Sequence, residues 1–378
     1  MVAQLSSLNR RQWLKSTVAG VAGLAVAQRM LVTPAQAQHE IKKGVKRAEL
    51  VRLSGNENPF GPSQAATMAM MQNLERSFRY AFAETQTLVK QIAELEGVPT
   101  DHIVMGVGSG EILEIYGVYL GQQKGEVVTV TPGYLQMVGA MERMGSKVVA
   151  VPLTDKWEHD LEAMAAKVGA NTKCVYICNP NNPTGTIVDA AKLKAFCIEV
   201  SKKCPVFVDE AYLQCTDNFA ANTMVGLVKE GHNVTVARTF SKLYGLAGQR
   251  IGYGVTKPET AKAIKEFSTG SLNLLGVVAA SASLEDKAYF GETQAKIKAG
   301  RTALVDVVKG LGKKYAEPNG NFVFFQTGMP IKTFQEKMLA EGVQVARPFP
   351  PMLDWARVTV GLPEEMAICH AALKKVLA

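Results

Sequence analysis

Lys242 closes the run Thr239-Phe240-Ser241-Lys242, Arg250 follows eight positions later, and Asp209-Glu210-Ala211-Tyr212 lies one strand upstream. A lysine amine can condense with an aldehyde, and an aspartate on a neighbouring strand end can keep a pyridine nitrogen protonated so that the ring draws in electrons. Asp209 ends the apolar run Val206-Phe207-Val208, where an unpaired carboxylate is unfavourable to bury, so a cation belongs beside it. Taken alone, the same aspartate reads as well as a helix cap.

Further segments extend the pattern. Gly106-Val107-Gly108-Ser109-Gly110-Glu111 follows a strand and opens a helix, which aims backbone N–H groups, those of Ser109 and Gly110 among them, at a phosphate. By itself such a loop is also an ordinary strand-to-helix turn. Tyr134, in Thr131-Pro132-Gly133-Tyr134, offers a flat ring either to a cofactor face or to the core. Asn179-Pro180-Asn181-Asn182-Pro183-Thr184-Gly185 stiffens a strand exit so that Asn182, with Tyr212, can reach a ring oxygen; its X-Pro bonds are candidates for cis. Thr239, Ser241 and Arg250 bring hydroxyls and a guanidinium fork to phosphate oxygens, although an arginine alone also suits a surface ion pair. In this order, each at a strand end, the pieces predict a pyridoxal 5′-phosphate site on a fold-type-I scaffold, with Lys242, Asp209 and Tyr212 as the catalytic set.

The elements that must position them are legible from about residue 103 to 255, where short β-branched runs alternate with longer amphipathic stretches. Strands are expected at Val127–Thr131, Val148–Val151, Cys174–Cys178, Val206–Asp209, Val234–Ala237 and Ile251–Val255. Helices are expected at Glu111–Leu120, Leu135–Met144, Leu161–Val168, Ala190–Lys202 and Met224–Lys229. This alternation predicts an α/β fold with a mostly parallel sheet, helices on both faces and ligands at the strand ends. After a mostly helical stretch from 258 to about 312, strands at Phe322–Phe325 and Arg357–Val360 predict a smaller α+β domain. The expected divisions are a leader at 1–37, an arm at 38–62 reaching from the small domain to the site, a large cofactor-binding domain at 63–275 and the small domain at 276–378. No repeat, low-complexity tract or interdomain linker interrupts them.

With 378 residues, 47% of them hydrophobic, the chain can bury a large core. Residues 1–37 supply four of the eight net positive charges, through Arg10, Arg11, Lys15 and Arg29, and the remainder is too weakly basic to argue for nucleic acid. The six cysteines follow no compact disulfide pattern and form no Cys/His clusters of metal-ligand spacing, so no metal is expected. Cys174 and Cys178 flank Val175-Tyr176-Ile177, and alternation puts both on one strand face as small core residues. At the start, Asn9-Arg10-Arg11-Gln12-Trp13-Leu14-Lys15 precedes an apolar, Gly/Ala-rich run of about sixteen residues and Ala35-Gln36-Ala37. The run is short of the roughly 20 residues that span a bilayer. It resembles a twin-arginine export signal read by the Tat translocase, which implies a periplasmic protein starting at Gln38; a retained membrane anchor and a chance Arg pair are the alternatives.

The constellation resembles the class I/II aminotransferases, and within them the histidinol-phosphate aminotransferase branch, over most of residues 50–365. Leu53-Ser54-Gly55-Asn56-Glu57-Asn58-Pro59-Phe60-Gly61-Pro62-Ser63 is similar to that branch's N-terminal signature, which implies that Asn56 sits at the substrate mouth. Arg79-Tyr80 is similar to the place of a tyrosine that reaches the other subunit's cofactor phosphate, which implies a homodimer with shared sites. Arg357, in Trp355-Ala356-Arg357-Val358, corresponds to the arginine that clamps the substrate α-carboxylate, and it can offer parallel N–H groups to one. The resemblance also places Arg347 at a second anionic group of the substrate and Asn321 as an amide near the ligand, although ion pairing or capping explains each as well. Where the branch usually reads Arg-Tyr-Pro-Asp, this chain has Arg79-Tyr80-Ala81-Phe82. The expected activity is transfer of an amino group between an amino acid or related amine and a 2-oxo acid. Decarboxylation of the threonine-phosphate decarboxylase kind and a non-catalytic relative of the fold are the rivals, and Phe82, Phe349 and Trp355 are candidate shapers of an apolar or aromatic substrate pocket.

Overall fold

The computed structural model describes residues 50–378, so the expected leader and the first part of the arm lie outside the described residues. A seven-stranded sheet carries the order β2-β8-β7-β6-β5-β3-β4, with β2 at Ile103–Val107, β3 at Glu126–Thr131, β4 at Lys147–Pro152, β5 at Thr172–Cys178, β6 at Val206–Asp209, β7 at Val234–Thr239 and β8 at Ile251–Val255. The strands from β7 through β6, β5 and β3 to β4 run parallel, and β8 runs antiparallel to both β2 and β7.

Strand periodicity divides the core. Val128, Val130, Val175, Ile177, Val206, Val208, Val234 and Val236 fall in one buried cluster, while Val127, Cys174, Tyr176, Cys178, Phe207 and Ala237 fall in another, as a two-residue repeat dictates. Helices cover both. Ser109–Gly121, Gln136–Arg143 and Pro258–Lys265 pack on the second cluster, and Phe82–Glu96, Ala190–Ser201, Val225–Lys229 and Leu274–Glu285 on the first. Helix starts carry local signals: the Asp160, Asp189 and Asn273 side chains each accept the backbone N–H three residues on, worth about 1 kcal/mol apiece. All six cysteines are buried and free.

A second core gathers the late part of helix Lys287–Gly310 and helices Ile331–Ala340 and Pro363–Leu377 around β9 (Phe322–Gln326) and β11 (Trp355–Thr359), an antiparallel pair. Val51 and Leu53 are buried in it, because β1 (Val51–Arg52) pairs in parallel with β10 (Val343–Gln344). The arm is thus stitched to this core and continues toward the sheet's strand ends. Helix Leu274–Glu285 belongs to the core of the large sheet, so the boundary expected at 275 falls inside it.

Candidate active site

Three parallel strand exits converge on Lys242. β7 ends at Thr239, Phe240 is fully buried and anchors the turn, and Lys242 Nζ lies 3.4 Å from the Gly55 carbonyl and 5.4 Å from the centre of the Tyr212 ring. Asn58 Nδ2 donates to the Leu243 carbonyl at 2.7 Å, which ties the arm to the turn that carries the lysine. Desolvation, helped by the positive charge of Arg357, lowers the Lys242 ammonium to about 8.

Asp209 ends β6 and is buried. Its Oδ2 accepts from the Tyr176 hydroxyl at 3.1 Å and its Oδ1 from the Ala211 N–H at 3.1 Å, yet desolvation outweighs these bonds and the charge of Lys242 and raises the carboxyl to about 6. Tyr176 sits on β5 two residues before Cys178, the register partner of Asp209. From Asn182, Nδ2 approaches the Tyr212 hydroxyl at 3.4 Å; Asn56 Nδ2 donates to the same hydroxyl at 3.0 Å. The Asn179–Pro180 and Asn182–Pro183 bonds are cis.

On the next residue, Glu210 faces away from this group. Arg238, itself fully buried, pairs with Glu210 at 2.9 Å and with Glu96 at 2.8 Å, and the Tyr253 hydroxyl donates to Glu96 at 2.6 Å. This ion triad joins the ends of β6 and β7 to helix Phe82–Glu96.

At the other end of the cavity, Ser109 and Gly110 open a helix whose start is capped by Gly108. Arg250, in the left-handed region at φ 56°, directs Nη1 to the Ala247 carbonyl at 3.0 Å and to Ser241 Oγ at 3.4 Å, and Nη2 to the Val107 carbonyl at 3.4 Å. A Cβ on Gly108 would press on the Arg250 guanidinium, and one on Gly252 would overlap the Ser109 nitrogen. Glycine is needed at both places for the backbone to close on the helix start.

Arg357, on β11, is buried with its Nη1 donating to Asn182 Oδ1 at 2.6 Å and its Nη2 to the Ser54 carbonyl at 2.7 Å. Both partners are neutral, and Nε is buried without a partner among the described residues. Burial, together with the charge of Arg347 and against the pull of Tyr212, lowers its pKa to about 10. A carboxylate is the partner such a guanidinium lacks.

Ser109, Gly110, Tyr134, Asn182, Asp209, Tyr212, Thr239, Ser241, Lys242, Arg250 and Arg357 all line one cavity of about 1150 Å³. The remaining expected residues do not line it. Asn56 and Asn321 are buried behind it: Asn321 Nδ2 donates to the Asn56 and Glu57 carbonyls at 3.0 and 3.2 Å, and Asn56 bonds Thr359, so the pair holds the arm. Arg347 is exposed and donates to the Pro348 carbonyl at 2.9 Å. Tyr80 lies in a separate surface groove with Phe78 and Leu272. Phe349 and Trp355 are buried in their own aromatic cluster and Phe82 is exposed, and none of the three lines this cavity.

Sequence reasoning missed Glu57, Glu111, Gln136 and Phe267 in the wall and Tyr176 behind Asp209. Glu111 accepts the Val107 N–H at 2.6 Å, and Gln136 accepts from Tyr134 at 2.8 Å while donating to Gly110 at 3.0 Å. Tyr176 had a signal, since it shares a strand face with Cys174 and Cys178. Phe267 had none.

The group expected from the sequence fits these residues. Asp209 is a secluded carboxylate short of a cation, which a protonated pyridine nitrogen would supply. Arg250, the Ser241 and Thr239 hydroxyls and the Ser109 helix start form an anion seat of phosphate type, and Lys242 offers its amine between the two ends.

Comparison with known proteins agrees. Residues 48–372 match the family model described as aminotransferase class I and II. The chain is 32% identical over 386 residues to the histidinol-phosphate aminotransferase of Moorella thermoacetica, covering all of both chains, and 35% identical over 340 residues to histidinol-phosphate aminotransferase 1 of Cupriavidus pinatubonensis, covering 88% of this chain and 90% of that one. The crystal structure of histidinol-phosphate aminotransferase from Sinorhizobium meliloti in complex with pyridoxal-5′-phosphate superposes with a TM-score of 0.79 at 28% identity, covering 92% of this chain and 95% of that one. The L-threonine-O-3-phosphate decarboxylase of Porphyromonas gingivalis, at 20% identity and TM-score 0.73, shares the fold.

Proposed function

Because this chain belongs to the class I and II aminotransferases and uses pyridoxal 5′-phosphate, we propose that its cavity exchanges an amino group between an amino acid held by Arg357 and a 2-oxo acid. The observation that carries the substrate half of this reading is the buried Arg357 guanidinium, whose nitrogens, among the described residues, meet neutral oxygens alone, a short way from Lys242. When bound, the cofactor supplies an aldehyde for amine exchange and a ring that withdraws electrons from the reacting carbon. Ser109, Gly110, Thr239, Ser241 and Arg250 would hold its phosphate, Asp209 its ring nitrogen, Tyr134 a ring face, and Asn182 with Tyr212 its ring oxygen.

The chain's own residues then divide the work. Arg357 fixes the substrate carboxylate and so the direction of the Cα–H bond. Lys242 Nζ, which burial lowers to about 8 so that it gives up its proton far more readily than a solvated lysine, takes up the Cα proton and gives it back on the return leg. Asn58 and Gly55 keep the arm over the lysine.

Relatives named for histidinol phosphate favour a phosphorylated amine as one substrate, with Arg347 as the second cation. The test is to add histidinol phosphate, L-glutamate or an aromatic amino acid to holoenzyme, follow the cofactor absorbance, and assay 2-oxo acid against carbon dioxide. Oxo acid or the corresponding carbonyl product is expected; carbon dioxide and an amine without it would select the decarboxylase reading.

We also propose a homodimer. Its support is the exposed set Leu74, Phe78, Tyr80 and Phe82, from 55% to 76% accessible, on one short stretch of chain. Residues 1–37 we read as a twin-arginine leader that sends folded holoenzyme to the periplasm, supported by Arg10-Arg11 ahead of the apolar run. Replacing Arg10 and Arg11 together by lysine should keep the protein in the cytoplasmic fraction.

A further inference from the structure

Phe349 is a buried ring outside the cavity wall that touches two cations. The guanidinium carbon of Arg357 lies 5.0 Å from its centroid and that of Arg347 lies 4.5 Å from it. An aromatic face attracts a cation through its quadrupole, and more strongly where water is excluded. Arg357 is in that situation, being buried, while Arg347 is exposed.

The ring is itself fixed. Phe324 meets it edge-on at 6.0 Å and 90°, and the Phe349 carbonyl accepts the Met352 N–H at 2.9 Å. Arg357 has need of such a support, since its hydrogen bonds go to neutral oxygens, its Nε has no partner, and the nearby Arg347 repels it. Two like charges close together would otherwise drift apart, and a long side chain that loses its orientation no longer presents parallel N–H groups to a carboxylate.

We propose that Phe349 is a positioning residue of the carboxylate site: beside Phe322, whose ring centre lies 5.4 Å from the same guanidinium carbon, its ring sets the orientation of the Arg357 guanidinium toward the cavity and holds Arg347 beside it. The inference rests on Arg357 receiving the substrate carboxylate. Phe349 touches no substrate, so its removal should weaken carboxylate binding while leaving the cofactor in place.

Phe349→Met fills a similar volume without a ring face, and Phe349→Tyr keeps the face. In each holoenzyme, Arg357 is labelled with phenylglyoxal and counted by peptide mass, with succinate as the protecting carboxylate. The succinate concentration that half-protects Arg357 should rise about tenfold in Phe349→Met and stay within about twofold of the parent in Phe349→Tyr. The cofactor absorbance at Lys242 should match the parent in both. Equal half-protection in the parent and Phe349→Met, or a rise in Phe349→Tyr as large as in Phe349→Met, overturns the proposal. A parent in which succinate gives Arg357 no protection removes the carboxylate reading itself, and this inference with it. Phe349→Leu takes the place of Phe349→Met if the latter does not accumulate as holoenzyme.

Discussion

Burial moves Lys242 and Asp209 in opposite directions, the amine down from 10.5 to about 8 and the carboxyl up from 3.8 to about 6. The amine attacks an aldehyde only when neutral, so the rate at which apoprotein captures pyridoxal 5′-phosphate should climb with pH and level off above about 8. Stopped-flow absorbance across the pH range measures this. Arg357→Gln should shift the inflection upward, because the Arg357 charge helps to lower Lys242. An inflection near 10.5 would mean that the lysine is solvated. Asp209 binds its proton more tightly in the folded apoprotein than in the unfolded chain. Its contribution to stability is therefore complete below about pH 4 and is lost as pH rises through about 6, a change on the order of 3 kcal/mol. Asp209→Asn removes this loss, so thermal melts of the two apoproteins should diverge in the variant's favour between about pH 4 and 7. Parallel curves would contradict the seclusion of the carboxylate.

The strand exits act on these residues as fixed mounts, and one of the tightest contacts beside them is Gly252 of β8 against the Ser109 nitrogen. Gly252→Ala should force the helix start away from its seat, lowering the melting temperature by the equivalent of about 1–3 kcal/mol and weakening cofactor binding. Gly226→Ala, inside helix Val225–Lys229 where a Cβ meets open space, is the control and should lower neither. Fluorescence titration of apoprotein with the cofactor reads both variants. The mounts were legible because each is local: an apolar β-branched run ends, and a polar residue follows it. Asp209 after Val206-Phe207-Val208 could be singled out from the cost of burying a carboxylate alone. Asn56 and Asn321 could not be sorted in the same way, since what makes them braces for the arm is a bond across 265 positions of chain. The antiparallel course of β8 between β2 and β7, and the withdrawal of Phe349 and Trp355 into a separate cluster, depend equally on partners that no local pattern names.

In the molecule as a whole, the large sheet supplies the anion seat and Lys242, the smaller core supplies Arg357, and the arm bonded to both runs past the cavity. The exposed Phe78 lies far from this chemistry in function but belongs to the proposed subunit contact. Phe78→Asp should give a monomer in sedimentation velocity that still captures cofactor at Lys242, with turnover reduced; a dimer of unchanged stability would place the contact elsewhere. Arg238, set between Glu96 and Glu210, bears on a different property. These three charges lie out of reach of dissolved ions, so molar sodium chloride should leave this joint intact while it loosens exposed pairs such as Lys202 with Glu199. The same isolation ties the three positions together in inheritance. Loss of Arg238 would leave two buried carboxylates without their cation and about 3–5 kcal/mol of instability, so a descendant chain that keeps Glu96 and Glu210 keeps Arg238 as well.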